Sequence, residues 1–175
     1  MSNLSAATHK SKYAAALVVF SSALCASRLD AANTELFRVE RNTNSNYVRY
    51  DARTRADGSL DPKAPLTAYW ILPAEKGRRE GLSWLEEKLA YGFSVARSPD
   101  GYSVTLVAFD RRRLAVRRGA ASWQAEIEIQ GKPAILRRIW VQASETVLGP
   151  RVEWIELTGV DRATQGLLSE RIVNR

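Results

Sequence analysis

Short apolar runs separated by turn residues constrain this chain more than any other feature. From Leu36 onward, runs of roughly five to eight residues, rich in β-branched and aromatic side chains, alternate with Gly, Pro, Asp and Asn. Strands are expected at LFRVE, NYVRYDA, LTAYWIL, FSVARS, YSVTLVAF, LAVRR, WQAEIEIQ, ILRRIWVQ, RVEWIELTG and GLLSERIV. Pro99-Asp100-Gly101 and Gly131-Lys132-Pro133 read as hairpin turns, and strands joined this way pair antiparallel. In AEIEIQ, Ile127 and Ile129 point one way while Glu126, Glu128 and Gln130 point the other, the pattern of a sheet with one wet face. The expected fold is mainly β: an antiparallel meander curled into a barrel-like or sandwich sheet, with one short amphipathic helix.

The helix is LSWLEEKLAYG, the only stretch with helical spacing. Leu82, Leu85 and Leu89 share one face, Ser83 and Glu86 form a capping box, and Gly92 stops the run. A helix this short does not hold itself together in water, so its leucines are expected to anchor it to the sheet.

The N-terminus differs from the rest. Lys10 and Lys12 precede the apolar stretch YAAALVVFSSALCA, and the small residues of LDAA follow it, which is the pattern of a cleaved export signal over residues 1–32 ahead of a single β-rich domain over residues 33–175. The stretch is short and rich in Ala and Ser for a membrane span. Leu24 stands before Cys25 where a lipoprotein signal wants a small residue, so lipidation is not expected. The expected location is periplasmic or extracellular, with no stable membrane span after cleavage. Removing Lys10, Lys12, Arg28 and Asp30 lowers the formal charge from +7 to +5. It also removes His9 and Cys25, the one histidine and the one cysteine of the chain. A domain with neither excludes a cysteine nucleophile, a Ser-His-Asp triad, and zinc or haem sites built on imidazole or thiolate. No metal or cofactor is expected.

Several segments together, NSNYVRYD, the turn Asp61-Pro62-Lys63-Ala64-Pro65, AYWI and KLAYGF, resemble an uncharacterised family of secreted bacterial proteins, domain of unknown function 4833. The resemblance runs over most of the chain from Leu36, the second half matching only in its strand pattern. It implies an exported bacterial domain and brings no catalytic residues with it.

Polar side chains on apolar strands point to a binding surface. In NTNSNYVRYD, Asn46, Tyr47, Arg49 and Asp51 can line a pocket mouth and hydrogen-bond a sugar or an anionic group. In ILRRIWVQ, Arg137 and Arg138 fall on opposite faces of a regular strand, unless a bulge turns one of them. The expected ligand-binding set is Asn46, Tyr47, Arg49, Asp51, Tyr69, Trp70, Arg137 and Trp140, around a cavity of the curled sheet. The ligand class is an apolar or anionic small molecule or an envelope component, bound without catalysis. Two alternatives stand beside it. One is a carboxylate-dependent hydrolase or lyase acting on envelope saccharide, for which Glu126 and Glu128 are the nearest pair. The other is a structural or partner-binding protein, marked by an exposed aromatic patch. Nucleic acid is not an expected partner, because the arginines are interleaved with acids and no stacking motif accompanies them. The residues do not define an oligomeric state.

Overall fold

The computed structural model describes residues 33–147 and 149–173; the expected export signal lies outside the described residues. Eleven strands form one curled, open half-barrel sheet: β1 (Asn33–Arg41), β2 (Tyr47–Arg53), β3 (Leu66–Leu72), β4 (Arg78–Gly81), β5 (Phe93–Ser98), β6 (Gly101–Leu106), β7 (Phe109–Arg118), β8 (Trp123–Ile129), β9 (Lys132–Thr146), β10 (Gly149–Asp161) and β11 (Leu167–Val173). The mainly β fold expected from the alternating runs is therefore what forms. Two strands depart from the expected list. β4 is a short polar edge strand, and β7 begins in the charged stretch Asp110–Arg113 because the chain turns at Val107 and Ala108.

The sheet is forked. β9 and β10 form a long antiparallel hairpin, with β11 on the outer edge of β10. The other edge of β9 is shared by two strands. Lys132–Ile135 pairs with β8, antiparallel, while Arg138–Val141 pairs with β1, parallel. Asn42 prolongs the parallel ladder through its side chain: Nδ2 donates to the Ala143 carbonyl and Oδ1 accepts from the Ala143 N–H, each at 2.9 Å. From the fork one arm runs β1, β2, β3, β4 and the other β8, β7, β6, β5, each an antiparallel meander.

The core fills the space between the arms. Phe37, Val48, Tyr50 and Trp70 come from one arm, Val104, Leu114, Val116 and Ile127 from the other, and Leu136, Ile139 and Leu157 from the trunk. The Tyr50 ring stacks on Phe37 with centroids 4.5 Å apart and meets Phe93 of the opposite arm edge-on at 6.0 Å. Its hydroxyl donates to the Tyr91 carbonyl at 2.7 Å, which ties the strand to the helical segment. The expected cavity of the curled sheet is thus occupied by side chains.

Two bulges decide which residues face out. Leu36 and Phe37 are both buried in the core, so Glu35 and Arg38 flank them on the opposite face. Leu136 and Ile139 are likewise both in the core, and the register with β10 slips between Thr158 and Gly159, so Arg137 and Arg138 both point outward. Gly159 permits this close approach: a Cβ there would stand 2.7 Å from the Ile135 carbonyl oxygen and 2.8 Å from Ile129 Cδ1.

The helical segment is α1 (Trp84–Glu86), continued by a π turn over Glu87–Tyr91. The capping box forms as expected: Glu86 N–H donates to Ser83 Oγ, and the Glu86 carboxylate accepts from Ser83 N–H. The leucine anchor does not. Leu85 and Leu89 are 56% and 68% exposed, and Leu82 alone of the three packs against the core. The wider π turn swings the periodic face away, and the segment is held instead by the Trp70 indole N–H donating to Glu86 at 3.0 Å and by the Tyr91 ring, edge-on to Trp70 at 5.0 Å.

Mutating the two kinds of leucine separates these roles. Leu157→Ala is expected to cost about 2–5 kcal/mol, as for other fully buried leucines, whereas Leu89→Ser stays within about 0.5 kcal/mol. Urea unfolding midpoints measure both, and a loss at Leu89 matching that at Leu157 would contradict this packing.

Candidate functional site

The face of the sheet turned away from the core carries an ordered lattice of charge. The cross-strand register places Arg138 of β9, Arg38 of β1 and Arg49 of β2 directly opposite one another on three adjacent strands. Like charges so placed repel, at a cost of about 0.2–1 kcal/mol per pair. Carboxylates in the flanking rows offset it. Arg38 Nε lies 2.6 Å from Glu40, Arg138 lies 3.5 Å from Glu40 and 3.4 Å from Glu156, and Arg49 lies 2.6 Å from Asp51 and 3.3 Å from Glu35. Arg171 reaches Glu156 from β11 at 3.8 Å.

Asp51 is the buried end of this lattice. Its side chain is fully covered, with Oδ1 accepting from Arg49 Nε and Oδ2 from the Tyr69 hydroxyl, both at 2.6 Å. The Arg79 guanidinium lies over the Tyr69 ring at 5.0 Å. Burial first, and then the hydrogen bond to the Asp51 carboxylate, push the Tyr69 phenol up to about 12. Burial lowers the Arg49 guanidinium's affinity for its proton, but the contacts with Asp51, Tyr69 and Glu35 outweigh it and hold the group above its ordinary range.

A cavity of about 410 Å³ opens where β1 peels away from β9. Glu35, Arg38, Arg137, Arg138 and Thr158 line it. Arg137 stands there because of the β9 bulge, and among the described residues its side chain has no ion pair or hydrogen bond. Arg138 Nε and Thr158 Oγ1 are buried beside it, also with no hydrogen-bond partner among the described residues. Buried polar groups are ordinarily paired, so these two atoms are exceptions, and Arg137 beside them is exposed to solvent.

The residues expected from sequence divide into three groups. Tyr47, Arg49, Asp51, Tyr69, Arg137 and Trp140 share the polar face, with Arg137 alone among them lining the cavity. Tyr47 and Trp140 are half-buried beside it, under the guanidinium groups of Arg38 at 5.5 Å and Arg138 at 5.8 Å. Trp70 lies on the core face against Tyr91, with the Arg41 guanidinium 5.2 Å from its ring, and Asn46 sits in an exposed turn, its N–H donating to Asn44 Oδ1. Sequence reasoning missed Glu35, Arg38 and Thr158. The alternation Arg38, Val39, Glu40 announced a polar face on β1, but nothing local paired that face with β9.

Of the two carboxylates considered for hydrolysis, Glu126 is engaged and Glu128 is open to solvent. Glu126 accepts from Arg162 at 3.1 Å and Arg117 at 3.3 Å, while Glu128 is exposed on the strand. Asp57 and Asp61 close turns by accepting from Ser59 and from Lys63 N–H. Among the described residues no group of His, Cys, Asp or Glu is arranged to hold a metal ion, and no helix is long and apolar enough to cross a membrane.

Fold and face together define a forked half-barrel domain with a charged outer surface. The chain belongs to the family described as Domain of unknown function (DUF4833), whose model matches residues 37–171. No curated protein and no solved structure matches it.

The lattice predicts an alkaline signature. The unfolded chain ionises tyrosine near its ordinary 10.0, so the stability that Tyr69 contributes is complete below that pH and is lost as the pH rises toward about 12. Tyr69→Phe is expected to flatten the fall of the unfolding midpoint between about pH 10 and 12. An unchanged alkaline slope would remove Tyr69 as its source.

Proposed function

We propose that this domain is an exported, non-catalytic binding module that receives an anionic group, carboxylate or phosphate, in the fork cavity. One observation carries the reading: the bulge of β9 turns the exposed Arg137 guanidinium, which has no ion pair or hydrogen bond among the described residues, into a hollow lined by Arg38, Arg138 and Thr158. A guanidinium offers a planar fork to an oxyanion, and such charge-assisted bonds are short and strong. Bulges also recur where a strand must re-aim a side chain. Export is supported by the basic, apolar and small-residue order of residues 1–32. Glu126, held by two arginines, favours binding over carboxylate-dependent hydrolysis.

Isothermal titration with inorganic phosphate, against chloride at equal ionic strength, tests the site. Saturable binding is expected, weakened about tenfold by Arg137→Ala. The same variant keeps its stability within about 0.5 kcal/mol, since the side chain makes no structural contact to lose. Binding that is indifferent to Arg137→Ala, or no saturable binding in the unaltered protein, would overturn the reading.

A further inference from the structure

The fork cavity does not stand alone on its face. Following the register across the strands from β11, one row reads Arg171, Glu156, Trp140, Glu40, Tyr47, Ile71 and Arg79, beside the row that holds the three facing arginines. Trp154, with the Arg171 guanidinium 4.0 Å from its ring, lies one step further along β10 on the same side. Trp140, Tyr47 and Trp154 are all half-buried, each with a guanidinium over its ring. Strands are spaced about 4.8 Å apart, which puts Trp140 about 10 Å from Tyr47 across β1, the reach of a disaccharide.

We infer that the ligand of this face is an acidic saccharide chain, its acid group in the fork cavity and its neighbouring sugar rings laid across the strands over Trp140 and Tyr47. The inference rests on the anionic reading of the cavity and names the class of molecule that carries the anion. Three features select that class. Sugar hydroxyls are donors and acceptors at once, and the rows between the rings supply both, Arg38 and Arg138 as donors and Glu40 and Glu156 as acceptors. The rings, with the guanidinium planes over them, offer flat platforms to the C–H faces of pyranose rings. Arg137, without a partner among the described residues, suits a uronate or phosphate substituent better than a neutral sugar.

The same features argue against the other extended anion. A nucleic acid strand crossing this face would carry a phosphate at each nucleotide past Glu40 and Glu156, and nucleic-acid grooves keep one sign of charge along the backbone track. The saccharide needs its negative charge only where Arg137 stands.

The experiment is a chain-length series. Galactose oligomers of increasing length, each carrying a single terminal galacturonate, are titrated into the full domain from the galacturonate monomer upward, with unsubstituted galactose oligomers and oligothymidylate as comparisons. Affinity is expected to rise about tenfold from the monomer to the tetramer. Trp140→Ala and Tyr47→Ala should abolish that rise with length, and Arg137→Ala should weaken every length. A rise that survives both aromatic substitutions overturns the inference. Affinity independent of length does so too, while leaving the anion site in place, provided that phosphate and the monomer still bind and still depend on Arg137. Failure of phosphate and monomer alike overturns both readings. An equal or steeper rise with oligothymidylate makes the face a nucleic-acid surface and overturns the saccharide.

Discussion

One strand edge serves two partners, and the molecule is organised by how that edge is divided. A β-strand edge offers a fixed series of backbone donors and acceptors, each of which must be paired when buried. On β9 the first part of the series goes to β8 and the next to β1, with the Asn42 side chain serving Ala143 beyond. Because two strands share one edge, they must diverge, and the two meanders they lead curl toward each other around a common core. The residues between the two pairings, Leu136 and Arg137, lie at the crotch. There the bulge buries one and exposes the other.

The polar face follows from the same geometry. A parallel pairing in register sets Arg38 against Arg138, and the antiparallel neighbour adds Arg49. Their repulsion is offset by carboxylates in the rows on either side, and Asp51 is buried only because Arg49 and Tyr69 satisfy both its oxygens. A buried charge left unpaired would be costly, so this end of the lattice is rigid. The cavity end is different: Arg137 has no carboxylate partner among the described residues and is exposed to solvent. Charge is paired within the protein at one end of the face and left to solvent at the other, which is why the proposed anion site is placed at the fork.

Much of the architecture was legible locally. Ile127 and Ile129 are buried as their alternation implies, Ser83 and Glu86 make their capping box, and the hairpin expected at Gly131-Lys132-Pro133 forms one residue earlier, over Gln130 and Gly131, both at positive φ, with Lys132 and Pro133 in β9. What was not legible depended on distant partners. The parallel pairing of β1 with β9 joins segments about a hundred residues apart, and no local pattern specifies it. The bulges at Leu36 and Arg137 are set by the register of neighbouring strands, so a strict period-2 reading sends Arg137 and Arg138 to opposite faces when both face the cavity. The leucine spacing of the helix was read correctly as periodic and wrongly as an anchor. The indole of Trp70 and the ring of Tyr91 fixed the segment first, leaving Trp84, Leu85 and Leu89 exposed.

The most direct test of the fork as a binding centre is a crystal structure of the protein grown in phosphate, at a resolution that resolves bound anions and ordered water. The account predicts a phosphate within hydrogen-bonding distance of the Arg137 guanidinium, in the hollow lined by Arg38, Arg138 and Thr158, with β1 and β8 still sharing the edge of β9. Arg137 turned into bulk solvent, with Arg138 and Thr158 satisfied by protein groups or water and phosphate bound elsewhere, would contradict it.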